Sequence, residues 1–72
     1  MNGHLRAISG AAIIERFGGT RPLARLLDIP PSTVQSWKRV TIPALWQPTI
    51  LQLGQQLDPP LTPADFFREA AE

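Results

Sequence analysis

Residues 20–39 read TRPLARLLDIPPSTVQSWKR, and the spacing of their apolar side chains predicts two short helices joined by a tight turn. Thr20 is the expected cap of the first helix, and Pro22 falls within its first turn, where the missing N–H of proline costs nothing. From about Arg21 to Leu27 this helix turns Leu23, Ala24 and Leu27 to one side. Asp28, Ile29 and Pro30 form the turn, with Asp28 at a position that often requires positive φ, where Asp is better tolerated than most residues other than glycine. Pro31 is suited to the first position of the second helix because its fixed φ is already helical, and that helix is expected to end near Arg39. Val34 and Trp37, three apart, form its inward face, while Ile29 plugs the turn from inside.

Counted from Thr20, apolar residues stand at the fourth, eighth, tenth, fifteenth and eighteenth places, with the small Ala24 at the fifth, where a second helix crosses closely. That is the packing code of a helix-turn-helix. With Val34 at 0° and about 100° per residue, Trp37 lies near 300°, so the solvent direction is near 150°. Ser32, Gln35, Ser36 and Arg39 fall at about 160°, 100°, 200° and 140°. None is acidic, as a face meeting phosphates requires. Gln matches the N6 and N7 edge of adenine, Arg the O6 and N7 edge of guanine or a phosphate, and Ser a base or backbone oxygen. Lys38 on the flank, with Thr20, Arg21 and Arg25 from the preceding helix, is placed for phosphates.

Around this segment the chain reads as further short helices, because eight prolines in 72 residues leave no window for a long one. Nowhere do apolar and polar residues alternate for a strand's length. Residues 1–8 have no clear period and are expected to form a flexible arm or an extra turn, with residues 9–72 as one domain. Ser9 is the expected cap of a helix whose apolar face holds Ala11, Ile13, Ile14 and Phe17 before Gly18 and Gly19 stop it. Beyond the connector at 40–42, Trp46, Ile50, Leu53 and Leu57 share a helical face, and Pro48 must either kink that stretch or open its second half. Thr62 to Asp65 has capping-box spacing before a short last helix carrying Phe66 and Phe67, which cannot both face inward. The expected fold is all-α, a compact bundle of about five short helices.

Composition narrows the function. Without Cys and with His4 as the single histidine, a zinc ribbon, a zinc finger and a thiol nucleophile are excluded; no metal or cofactor is expected. No Gly-rich phosphate cradle follows a strand, and no carboxylate pair marks a catalytic site, so the chain is not expected to be an enzyme. No apolar run has the length of a membrane span, and no basic stretch precedes an apolar one at the amino terminus, so a cytoplasmic location is expected. The net charge of +1 divides unevenly: residues 1–39 hold six cations against Glu15 and Asp28, a net +4, and residues 40–72 a net −3. A polyanion would meet the first half.

Residues 17–43, FGGTRPLARLLDIPPSTVQSWKRVTIP, resemble the helix-turn-helix of small phage and bacterial repressor-like and Cro-like proteins, in particular the short carph-isopro type. The resemblance is carried by FGG before the first motif helix, LAxxL within it, STVQxWK in the second and IPA after it. It implies a five-helix, lambda repressor/Cro-like domain, dimeric, that binds operator DNA with Ser32, Gln35, Ser36 and Arg39 on the recognition face. Two positions depart from the pattern: Asp28 replaces the common turn glycine, and Val40-Thr41 stands where a basic or glycine residue is frequent, which removes a phosphate contact. The expected partner is double-stranded DNA, bound by a homodimer on a near-palindromic operator. Two alternatives stand beside it: a protein-interaction module of antitoxin or anti-repressor kind, and a nucleoid-associated protein with little sequence preference. Trp37 is expected in the core, Trp46 in the core or a dimer contact, and Arg6 and His4 on a solvated arm. Glu15, Asp58, Glu69 and Glu72 are expected on a solvated surface.

Overall fold

Two helices ended by the same backbone device position the rest of the chain, which a computed structural model describes over residues 5–69, with side chains over residues 8–67. Helix α1 (Ala11–Arg16) stops where the Gly19 N–H donates to the Ile14 carbonyl (3.0 Å) and the Gly18 N–H to that of Glu15 (2.9 Å). Helix α2 (Thr20–Leu27) stops likewise: the Ile29 N–H donates to Ala24 (3.1 Å) and the Asp28 N–H to Arg25 (3.3 Å). This crossed pair of bonds is the Schellman motif, and it needs a left-handed residue at its centre. Gly18 (φ 97°) fills that place after α1, and Asp28 (φ 58°, ψ 47°) fills it after α2.

Asp28 therefore holds a glycine position, with its carboxylate at the negative end of a helix. Asp28→Gly is expected to stabilise the fold by about 0.5–1 kcal/mol after allowing for glycine's greater unfolded-state freedom. A thermal melt should show the midpoint raised by roughly 2–8 °C; a lower midpoint would mean that the Asp28 side chain stabilises the turn.

Helix α3 (Pro31–Ser36) begins with Pro31 in its first turn, after an extended Pro30 (ψ 142°). It ends earlier than the periodicity suggests. From Trp37 to Arg39 the N–H groups bond back three residues, to Val34 (2.9 Å), Gln35 (3.1 Å) and Ser36 (3.5 Å), so the chain tightens into a turn instead of continuing to Arg39 as α-helix. The tightening brings Ile42 (1% exposed) into the core. Pro48 does not kink a longer helix; it lies in the first turn of α4 (Gln47–Leu53), where no N–H is needed. A 3-10 turn follows at Gly54–Gln56, and here the chain passes close to itself. A Cβ on Gly54 would collide with the Leu61 side chain, and the Leu61 N–H donates to the Gly54 carbonyl (3.1 Å).

The last expected helix is a single 3-10 turn, Pro63–Asp65, although its capping box forms as read: the Asp65 carboxylate accepts the Thr62 N–H at 2.7 Å. Phe66 is buried and Phe67 half-buried, so the adjacent rings do part. The chain then becomes strand β2 (Phe67–Glu69), antiparallel to β1 (Leu5–Ala7) with Arg6 opposite Arg68. This pair corrects the expectation of a strand-free chain and, over residues 5–8 only, that of a flexible arm. At three residues each, the strands are too short to show alternation. Residues 5–7 are held by the pairing and Ile8 by its N–H to the Phe66 carbonyl (3.2 Å). His4, with the rest of residues 1–4, lies outside the described residues, as do Glu72 and the side chains of Arg6 and Glu69.

The described fold is thus mainly helical, with four α-helices and two 3-10 turns in place of about five helices. Its core gathers Ile13, Ile14, Leu23, Ala24, Leu27, Val34, Trp37, Ile42, Ile50, Leu61 and Phe66, with no buried polar or charged residue among those described. No helix among the described residues is long and apolar enough to cross a membrane.

Candidate nucleic-acid interface

The orientation of α3 is set from inside. Val34 (0% exposed) and Trp37 (2%) are buried with Leu23, Ala24 and Leu27 of α2, which fixes the rotation of α3 about its axis. The Trp37 ring is further braced by half-buried Trp46, with centroids 6.1 Å apart and planes tilted by 47°. The turn that follows is tied from the other side of the domain. The Gly10 N–H is shared between the carbonyls of Trp37 (2.8 Å) and Val40 (3.0 Å). A Cβ at Gly10 would stand 2.6 Å from Ile42 Cγ1, so only glycine permits this approach. The cap residue of α1 is accordingly Gly10, and Ser9 assists with its hydroxyl as acceptor for the Ala11 N–H (3.4 Å).

With the inner face committed, Ser32, Gln35, Ser36 and Arg39 are all exposed, and together with Val40 they line one shallow depression of about 450 Å³. The short side chains of Ser32 and Ser36 leave this face shallow. The hydroxyl of Ser36 donates to the Thr33 carbonyl (2.6 Å), so in this rotamer it offers an incoming base an acceptor and no proton.

A second depression, of about 250 Å³, is lined by Arg21 and Arg25, one turn apart on α2, with Ala24, Ile29 and Pro31. Both arginines thus lie beside the start of α3. Lys38 is exposed on the flank of the tightened turn and lines neither depression. No carboxylate lines either one.

Thr20 departs from its expected role. Gly19 (φ 121°) takes the cap position, which no residue with a side chain adopts readily, and Thr20 becomes the first residue of α2. Its Oγ1 is buried without a hydrogen-bond partner and is not presented to a phosphate. Conversely, Val40 belongs to the face and was not among the expected contacts. The signal available was an apolar residue directly after Arg39, in a connector where no helical or strand period explained it.

Among the described residues no group of His, Cys, Asp and Glu could hold a metal ion. No protein-family model matches the chain, and no curated protein or solved structure is significantly similar to it.

Proposed function

We propose that the chain is a sequence-specific DNA-binding transcriptional regulator of the repressor-like or Cro-like kind, in which α2, the Asp28 turn and α3 act as a helix-turn-helix. The observation that carries this reading is the single exposed depression lined by Ser32, Gln35, Ser36 and Arg39 without a carboxylate, on a helix rotated into place by Val34 and Trp37. Gln35, Arg39 and Ser32 contact base edges in the major groove, with Ser36 as an acceptor, and Arg21, Arg25 and Lys38 hold phosphates. A homodimer places two such helices about 34 Å apart on a near-palindromic operator, and occupancy of the promoter is the mechanism. In a cell this takes place in the cytoplasm, on the nucleoid.

Selection from randomised duplexes tests the proposal, because it reports binding, preference and half-site spacing together. A flat selection with retained binding would instead support a nucleoid-associated protein. On the selected site Gln35→Ala is expected to cost ~1–3 kcal/mol at one base pair and little at the others. Titrations against single-base variants check this, and an equal loss on every sequence would remove base readout from Gln35. A protein-interaction module is the second reading, favoured by Leu45 (82% exposed) and Leu26 (56%), two large apolar side chains left in solvent. A gel shift with random duplex at low salt separates the two, since a regulator shows phosphate binding there and the module does not.

A further inference from the structure

We infer that Val40 reads the C5-methyl group of a thymine in the bound site, an inference that rests on the DNA-binding reading above. Val40 is 55% exposed and lines the same depression as Ser32, Gln35, Ser36 and Arg39, whose side chains all carry hydrogen-bonding groups. An apolar side chain is costly opposite a base edge that must be satisfied, because it leaves a desolvated donor or acceptor without a partner. The major groove offers one methyl group, that of thymine; apart from the flat C5–H of cytosine, the groups its base edges present are donors or acceptors. The methyl is therefore the feature of a duplex that Val40 complements, and the thymine lies beside the base pair met by Arg39.

The main chain makes the residue separable from the fold. Val40 is anchored through its carbonyl, which accepts the Gly10 N–H (3.0 Å), while its side chain contributes nothing to the buried core. Val40→Ser is thus expected to melt with the parent chain, and Val40→Ile to retain the methyl contact.

The test uses the full chain and the duplex recovered from randomised selection. Each thymine is replaced in turn by deoxyuridine, symmetrically in both half-sites, a change that removes the methyl and leaves every hydrogen bond intact. At one position the parent chain should lose roughly fourfold in affinity per half-site, about fifteenfold for the pair, as expected for one methyl group taken from water. Val40→Ser should bind the thymine and uracil duplexes equally, with an unchanged salt slope. Two results overturn the assignment: uracil tolerated by the parent chain at every position, or the same uracil penalty in Val40→Ser. A selection without any consensus removes the DNA-reading proposal and this one with it, whereas a consensus indifferent to uracil removes this one alone.

Discussion

Trp37→Ala is expected to leave the chain unfolded, or at the edge of unfolding, at 25 °C. Trp37 is 2% exposed, its ring lies against that of Trp46, and its carbonyl accepts the Gly10 N–H that ties the end of α3 to α1. Truncating a buried Trp costs ~3–5 kcal/mol, since the cavity collapses only in part. A core in a chain this short supplies net stability of about the same size, ~3–5 kcal/mol. The substitution therefore removes most or all of the margin, and far-UV circular dichroism with a urea titration should show a lost or strongly shifted transition. Trp37→Phe, which keeps an aromatic ring in place, should retain a cooperative transition. DNA binding by Trp37→Ala should fall equally on every sequence, because α3 loses its rotation about its axis rather than one contact. A cooperative melt within a few degrees of the parent would show that Val34 and the α2 stripe alone orient the helix.

The same residues explain what could be read from the sequence. Leu23, Leu27, Val34 and Trp37 lie in elements whose periodicity is local, and the burial of all four follows from their spacing. Asp28 in the left-handed region and Pro31 in the first turn of α3 were legible for a similar reason, since each sits where its own backbone preference matches its place. The strands were not legible. Their pairing joins Leu5 to Glu69 and depends on main-chain groups brought together by the core, not on a pattern within either segment. The early end of α3 was hidden for a related reason: Gly10, far from it in sequence, collects the carbonyls of Trp37 and Val40. At Thr20 a good capping side chain lost to a neighbour. Gly19 could adopt the required backbone shape, and one residue's shift in the cap moved the hydroxyl inside. On the candidate site, side-chain type and helical angle placed Ser32, Gln35, Ser36 and Arg39 together. They could not show that Ser36 spends its proton on Thr33 or that Val40 joins them.

The affinity of the chain for DNA is expected to fall about a thousandfold between 50 and 200 mM salt. In the proposed dimer, Arg21, Arg25 and Lys38 of each subunit neutralise about six phosphates, and counterion release then gives a slope of log affinity against log salt of roughly −5. All three side chains are exposed, and the depression lined by Arg21 and Arg25 holds no carboxylate, so their charge is available to the duplex. Lys38→Ala should flatten the slope by about 1 per subunit and weaken specific and random duplexes alike. Replacing all three cations by alanine should leave only the shallow slope that Arg39 contributes, with the preference among base pairs preserved, because the groups that position the protein are not those that read the sequence. Thr20 supplies the contrast. Its hydroxyl is buried and unpaired, so Thr20→Val should keep the slope and the affinity and hold or raise the melting temperature. A slope that flattens in Thr20→Val would return that residue to the phosphate set, and a triple variant with the parent's slope would move the phosphate-binding surface away from the start of α3.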